Sequence, residues 1–170
     1  MVKTPDQLKN MIEDYIKTTG VQYENKTAQV QKIDPRIQWQ FVAAKSITIT
    51  KLSNRDDRIN LDYGIGLSPQ HIEKAKQLGN QEWGAFLGTL NELIILQGLT
   101  YRYIQKDKVI EGLLISGYVD VEELNRPNLF KMWDTLASTG RHVLNKISSK
   151  LNLGTASVGV SGTSDQGIYG

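Results

Sequence analysis

An antiparallel meander of three strands is predicted by residues 37–65, which read IQWQFVAAKSITITKLSNRDDRINLDYGI. Apolar side chains recur there at every second position, which is the period of a strand with one buried face. Residues 53–56, between the second and third runs, have the composition of a hairpin turn. One face of the predicted sheet therefore consists of Ile37, Trp39, Phe41, Ala43, Ile47, Ile49, Ile59, Leu61, Tyr63 and Ile65.

An amphipathic helix is predicted before the meander. Residues 4–7 read TPDQ, a capping box with proline at the first helical position. Apolar side chains follow at helical spacing, and Gly20 ends the pattern. Residues 21–35 have no clean period, so we expect a loop there with a short strand near residues 28–33.

Two further helices are predicted after the meander. Ser68 and Pro69 begin the first, and Gly79 separates it from a second that runs from about Gln81 to Gly98. The second helix is expected to be the central core helix, because it has a broad apolar face formed by Trp83, Phe86, Leu87, Leu90, Leu93 and Ile94.

The last third of the chain predicts two strands and a long closing helix. The strands are expected at residues 99–105 and 109–118, and the second has apolar side chains on both faces, as a strand buried on both sides does. Pro127 begins a helix of about six turns, in which Gly140 predicts a kink or a close crossing. Residues 154–170 are rich in Gly, Ser and Thr, and we expect them to be disordered.

These elements predict a single α+β domain over residues 1–153, with a five-stranded antiparallel sheet and the order α-β-β-β-α-α-β-β-α. A chain of 170 residues can bury roughly 70% of the surface that its unfolded form exposes. It has no cysteine, which excludes thiolate catalysis, cysteine-ligated zinc and disulfide bonds.

Targeting and membrane signals are missing from the sequence pattern. The first eight residues have no apolar run, and the apolar-rich residues 83–99 are interrupted by glycine and polar side chains. We therefore expect a cytoplasmic protein that does not enter the membrane.

Motifs for catalysis or cofactor binding are weak. Neither His71 nor His142 has a second ligand at metal-site spacing, and residues 64–66 lack the third glycine of a dinucleotide loop. We therefore predict no catalytic residues, no metal and no cofactor. An enzyme alternative would use a pocket between the sheet and the closing helix, with Asp62, Arg102, Glu111 or His142.

A nucleic-acid-binding alternative depends on the closing helix. The chain has 20 basic and 18 acidic side chains, a net charge of +2, but residues 126–150 contain five cations and one anion. Arg141, Lys146 and Lys150 would contact phosphate in this alternative. The pI of 8.7 is lower than is typical of a dedicated nucleic-acid-binding domain.

The element order over residues 5–153 resembles that of the type III secretion chaperones and the related YbjN-like proteins. The resemblance also extends to small uncharacterised archaeal proteins expected to share that fold. It rests on residues 39–41 in the first strand, residues 67–69 before a helix and residues 117–120 before the last helix. Proteins of this kind commonly dimerise and bind extended polypeptide, so the resemblance implies a scaffold able to dimerise.

The leading hypothesis is a non-catalytic module that binds a protein or peptide, is chaperone-like and acts as a homodimer. Its motivation is a surplus of aromatic and aliphatic side chains on both faces of the second half. The candidate contact residues are Trp39, Phe41, Tyr101, Tyr103 and Trp133.

Overall fold

A computed structural model describes residues 3–153, which form an α+β fold and confirm the predicted class. The helices are α1 (Pro5–Lys17), α2 (Thr27–Val30), α3 (Pro69–Leu78), α4 (Asn80–Leu96) and α5 (Arg126–Lys150). The strands are β1 (Tyr23–Asn25), β2 (Ile37–Ala43), β3 (Ile47–Leu52), β4 (Arg58–Gly66), β5 (Thr100–Lys106) and β6 (Val109–Asp120). They form a six-stranded sheet in the order β1-β2-β3-β4-β6-β5. The β1–β2, β2–β3 and β5–β6 pairs are antiparallel.

The sheet has six strands rather than five because the segment before β2 was wrongly predicted. Strand β1 pairs with the end of β2, where Tyr23 lies opposite Ala43. The chain then turns at Asn25, whose side-chain oxygen accepts a hydrogen bond from the backbone N–H of Thr27 at 3.1 Å. Such an Asx turn ends the strand and starts the short helix α2, which replaces the strand expected near residues 28–33.

By their contacts the described residues fall into two units, and the first consists of residues 3–61 and 118–133. Its core includes the apolar face of α1, where Leu8, Ile12 and Ile16 are buried. The indole N–H of Trp39 in β2 donates to the carbonyl oxygen of Pro5 at 3.1 Å, which fixes the start of α1 to the sheet.

The second unit consists of residues 62–117 and 134–153. Helix α5 lies very close to β4 there, because a Cβ atom added to Gly140 would be 2.5 Å from the ring of Tyr63. The close crossing predicted at Gly140 is thus confirmed. Another close approach joins β4 and β6, since a Cβ atom on Gly112 would lie 2.6 Å from the backbone oxygen of Ile65.

Helix α4 is not the central core helix that its sequence predicted. Its buried side chains are Leu87, Leu90 and Ile94. At its end Ile95 is 59% exposed and Leu96 is 82% exposed. The end of α4 is exposed because the helix packs on β5, which is the last strand of the sheet.

Strand β6 also differs from the expectation of burial on both sides. Its inward positions such as Leu113 and Ile115 are buried, but Tyr118 is 47% exposed.

Within residues 3–153 no helix combines the length and the apolar character that crossing a membrane requires. The predicted disorder of residues 154–170 concerns a segment outside the described residues, and the single domain over residues 1–153 stays a prediction.

Candidate functional site

Three of the five predicted contact residues lie in the core of the first unit. Trp39 and Phe41 are 1% and 0% exposed, with ring centroids 5.6 Å apart, and Trp133 is 9% exposed. In this conformation these three side chains pack inside the protein and do not present a surface to a partner. Their strands and helix were predicted correctly, but β2 lies inside the sheet rather than at its edge.

Tyr101 and Tyr103 lie on β5 and are half-buried beneath α4. Their ring centroids are 5.6 Å apart. The Tyr103 hydroxyl donates a hydrogen bond of 2.5 Å to the side-chain oxygen of Asn91 in α4. Burial is the main cause that raises the pKa of Tyr103 to about 12, so this hydroxyl stays protonated and anchors β5 to α4.

An uncovered surface lies beside these tyrosines. Among the residues that the structure describes, nothing pairs with the outer edge of β5. Above it, α4 presents a flank made of Gly84, Gly88 and Ile95, which fall within about 40° of one another around the helix axis. We call the outer edge of β5 together with this flank the α4/β5 edge.

The orientation of the flank follows from the neighbours of α4. Asn91, on the same side as Gly88, contacts β5 through Tyr103. Phe86 lies on the opposite side of α4 and lines a depression together with His142 of α5. The flank therefore faces away from α5 and toward the free side of β5.

The α4 flank is open and uncharged, whereas β5 below it carries the exposed Arg102 and Lys106. A Cβ atom added to Gly84 or Gly88 would meet nothing within 4 Å. Between Trp83 and Gln97 the helix has a single charged side chain, Glu92. The flank is therefore uncharged over about three turns and ends in the exposed Ile95, which is a surface that another polypeptide could cover.

A buried carboxyl group lies in the middle of the sheet, in the second unit. The Ser116 hydroxyl on β6 donates a hydrogen bond of 2.5 Å to Asp62 on β4. Burial, opposed by this hydrogen bond and by the charge of Arg102, raises the pKa of Asp62 to about 6. Arg102, a second residue of the enzyme alternative, therefore acts on Asp62 only through its charge.

The other two residues of the enzyme alternative lie elsewhere. Glu111 is an exposed residue of β6, next to an irregularity in the pairing with β5. His142 lines an open depression of about 490 Å³. The lining of this depression contains none of the other three residues; it consists of Phe86, His142, Asn145, Lys146, Ser149 and Lys150. Within residues 3–153, no three His, Asp or Glu side chains are grouped to hold a metal ion.

The second histidine, His71, belongs to the cap of α3. The Ser68 hydroxyl accepts a hydrogen bond from the backbone N–H of His71 and lies 2.6 Å from its Nδ1 atom. The ring is 4% exposed, and burial lowers the pKa of His71. The Ser68 side chain thus caps the start of α3, and the His71 ring packs against it.

The basic residues of the nucleic-acid alternative are only partly grouped. Lys146 and Lys150 line the same depression on α5, whereas Arg141 is exposed elsewhere on the helix. The Lys150 ammonium forms an ion pair of 2.6 Å with Glu82. One of the three predicted phosphate contacts is therefore already neutralised by a carboxylate.

Sequence reasoning did not identify the α4 flank. Gly84 and Gly88 were treated as interruptions of an apolar stretch, and Ile95 was not considered. A signal was present, because apolar residues occur on every side of α4. Such a helix is normally enclosed by other elements or by a partner, so the pattern indicates that something covers α4.

Comparison with solved structures supports the fold. A crystal structure of an uncharacterized protein from Methanothermobacter thermautotrophicus has a TM-score of 0.73 at 15% sequence identity, covering 84% of this chain and 98% of that chain. The predicted resemblance to uncharacterised archaeal proteins is thus confirmed. The crystal structure of YbjN from E. coli, described as a putative transcription regulator, has a TM-score of 0.37 at 11% identity, covering 89% of this chain and 90% of that chain.

Comparison with sequences identifies the family. No curated protein matches the chain. The family described as Uncharacterized conserved protein (DUF2299) matches residues 8–147, which include the whole sheet and most of α5. Because this match spans well over half of the sequence, the protein belongs to the DUF2299 family.

Proposed function

We propose that this protein is a non-catalytic module that binds other polypeptide chains and works as a homodimer. The observation that carries the proposal is the α4/β5 edge, where a free strand edge lies beside the exposed apolar end of α4. A free strand offers unpaired N–H and C=O groups to another strand, and exposed apolar side chains gain free energy when a partner covers them.

Ile95 is the large apolar side chain of the flank, and Leu96 follows it at the end of α4, about 100° further round the helix axis. Both are large, more than half exposed, and adjacent to the turn that leads into β5. Covering an exposed side chain of this size is worth about 1.5–3 kcal/mol when burial is complete. Two such residues next to a free strand therefore supply a useful part of the free energy of association.

The test replaces these two residues by glutamate. Because both side chains are exposed, Ile95→Glu with Leu96→Glu should leave the circular dichroism spectrum unchanged. Light scattering should show loss of self-association, and the variant should retain fewer peptides from a panel of random extended peptides. Ile33→Glu, at a 54% exposed isoleucine between α2 and β2, is the matched control and should behave as the wild type. A wild-type protein that stays monomeric and retains no peptide would overturn the proposal.

The nucleic-acid alternative has less support. Its three basic residues do not form one patch, and Lys150 is paired with Glu82. It predicts retention on a polyanion column that falls steeply with salt and is lost on Lys146→Ala with Lys150→Ala. Retention of the wild type without loss in this double variant would contradict it.

A further inference from the structure

We infer that the depression between α4 and α5 is a binding site for a small phosphorylated ligand with a planar ring, a mononucleotide in the simplest case. All of its lining residues belong to the second unit. The site is independent of the proposed protein-binding function, because Phe86 lies on the side of α4 opposite the flank. The inference follows from the spacing of the lining side chains, their charge and their aromatic wall.

Helix α5 presents one polar stripe to this depression. Its lining side chains recur every three or four residues, which places them on one face of the helix. They are His142, Asn145, Lys146, Ser149 and Lys150. All five can donate hydrogen bonds, and no carboxylate of the described residues lines the depression. A face of donors without a carboxylate fits an anion that has several oxygens.

The charge at the depression is positive even when its nearest carboxylate is counted. The Lys150 ammonium forms an ion pair of 2.6 Å with Glu82 of α4, whereas Lys146 forms no ion pair within residues 3–153. Two ammonium groups against one carboxylate leave a net positive charge. Lysines four residues apart on a helix are neighbours, so both can reach one phosphate group.

The helix dipole does not account for both lysines. It favours a cation in the last turn of a helix, and in α5 that cation is Lys150. Lys146 lies one turn earlier, beside the hydroxyl of Ser149 and the amide of Asn145 on the same face. The grouping of these donors therefore indicates a ligand rather than a helix end alone.

Phe86 forms the apolar wall of the depression. Its ring is half-buried and its centroid lies 5.5 Å from that of Trp83, a contact that holds the ring in place. Nucleobases stack on aromatic side chains whatever the base. The depression, of about 490 Å³, falls within the roughly 300–1,000 Å³ of small-molecule sites and exceeds what a phosphate ion fills.

The first test measures ligand binding to the whole chain by isothermal titration calorimetry. Adenosine monophosphate should bind at least about tenfold more tightly than inorganic phosphate, because only the nucleotide can stack on Phe86. Phe86→Leu keeps an apolar side chain without a ring, so it should remove most of this difference and leave the binding of inorganic phosphate unchanged.

The second test uses charge changes at exposed positions, which should move the affinity in opposite directions. Lys146→Ala should raise the dissociation constant for adenosine monophosphate at least about tenfold, because a charge-assisted hydrogen bond is lost. Glu82→Gln should lower it by about threefold, because Lys150 is released from its ion pair. Arg141→Ala is the matched control, since Arg141 is exposed on the same helix but does not line the depression, and it should bind as the wild type.

The outcomes separate a mononucleotide site from other causes of binding. Equal affinities for adenosine monophosphate and inorganic phosphate would overturn the inference, because the ring would then contribute nothing. Equal losses in Lys146→Ala and Arg141→Ala would overturn it in favour of attraction to the charge of the whole helix. Tighter binding of a short single-stranded oligonucleotide that needs Arg141 would favour the nucleic-acid alternative instead. A wild type that binds no adenosine monophosphate removes the site and leaves the α4/β5 edge unaffected.

Discussion

At Gly140, helix α5 lies directly against the Tyr63 ring of β4. The Tyr63 ring lies 2.5 Å from the position of a Cβ atom, a distance that real Cβ atoms do not reach. Gly140→Ala gains up to about 1 kcal/mol of helix propensity, but displacing the ring should cost about 1–3 kcal/mol. We therefore expect a net lower free energy of unfolding, measured with urea.

Gly88→Ala is the matched control for Gly140→Ala. It makes the same change in a helix, but its Cβ meets nothing within 4 Å, so the free energy of unfolding should rise by up to about 1 kcal/mol. Equal effects of the two substitutions would show that the contact with Tyr63 does not limit residue 140.

Asp62 should make stability depend on pH. Its pKa is raised from 3.8 to about 6 in the folded protein, mainly by burial. The unfolded chain therefore releases this proton first, and stability falls as pH rises from about 4 to about 6. A pKa shift of this size corresponds to a loss of about 2–3 kcal/mol in the free energy of unfolding. The loss is complete above the folded-state pKa.

Asp62→Asn should remove that dependence. Asparagine has no charge to bury and keeps an oxygen for the Ser116 hydroxyl, so the variant should be more stable than the wild type at pH 7. Urea midpoints between pH 4 and 8 measure the effect. Asp14→Asn, at an exposed position of α1, should keep the wild-type profile. The raised pKa of Asp62 would be contradicted if the stability of the wild type, relative to that of Asp62→Asn, rose between pH 4 and pH 6.

At the scale of elements, the connection between β3 and β4 depends on a buried lysine. Lys51 is 1% exposed, and its ammonium donates to the carbonyl oxygens of Leu52 at 3.3 Å and Arg55 at 2.6 Å. Lys51→Met keeps the apolar stem but removes the donor to the Arg55 oxygen, whereas the Leu52 oxygen keeps a hydrogen bond from the Arg55 backbone N–H; the loss should cost about 1–3 kcal/mol. Thermal unfolding should show a lower midpoint for Lys51→Met than for the wild type. Lys76→Met, which replaces an exposed lysine of α3, should leave the midpoint unchanged. Equal midpoints would mean that water replaces the ammonium.

Elements with a local signal were predictable from sequence. The alternation in residues 37–65 gave β2, β3 and β4, and the Thr4 and Ser68 caps gave the starts of α1 and α3. Strand β1 was missed because its three residues have no periodicity of their own and are held by pairing with the distant β2. The buried role of Lys51 was missed for a different reason: lysine is almost never fully buried unless it is paired, and its partners are backbone oxygens, which have no sequence signal.

The candidate site was harder to predict than the fold. Large aromatic residues favour both cores and interfaces, and sequence alone could not tell that β2 is an inner strand while β5 is an edge. Trp39 and Phe41 were therefore named as contacts although they are buried. Strand order, which decides this question, depends on long-range pairing that no local pattern encodes.

For the whole molecule, a dimer predicts thermal stability that depends on concentration. Only the folded chain presents the α4/β5 edge, so association stabilises the native state by mass action. The melting temperature of the wild type should rise by a few degrees over a thousandfold increase in protein concentration, at roughly 2–4 °C per kcal/mol for a chain of this size. Ile95→Glu with Leu96→Glu should melt at a temperature that does not change with concentration, because this double variant loses the self-association. A wild-type melting temperature that is equally constant would mean that the folded protein does not pair with itself at these concentrations, and the uncovered end of α4 would then need another partner.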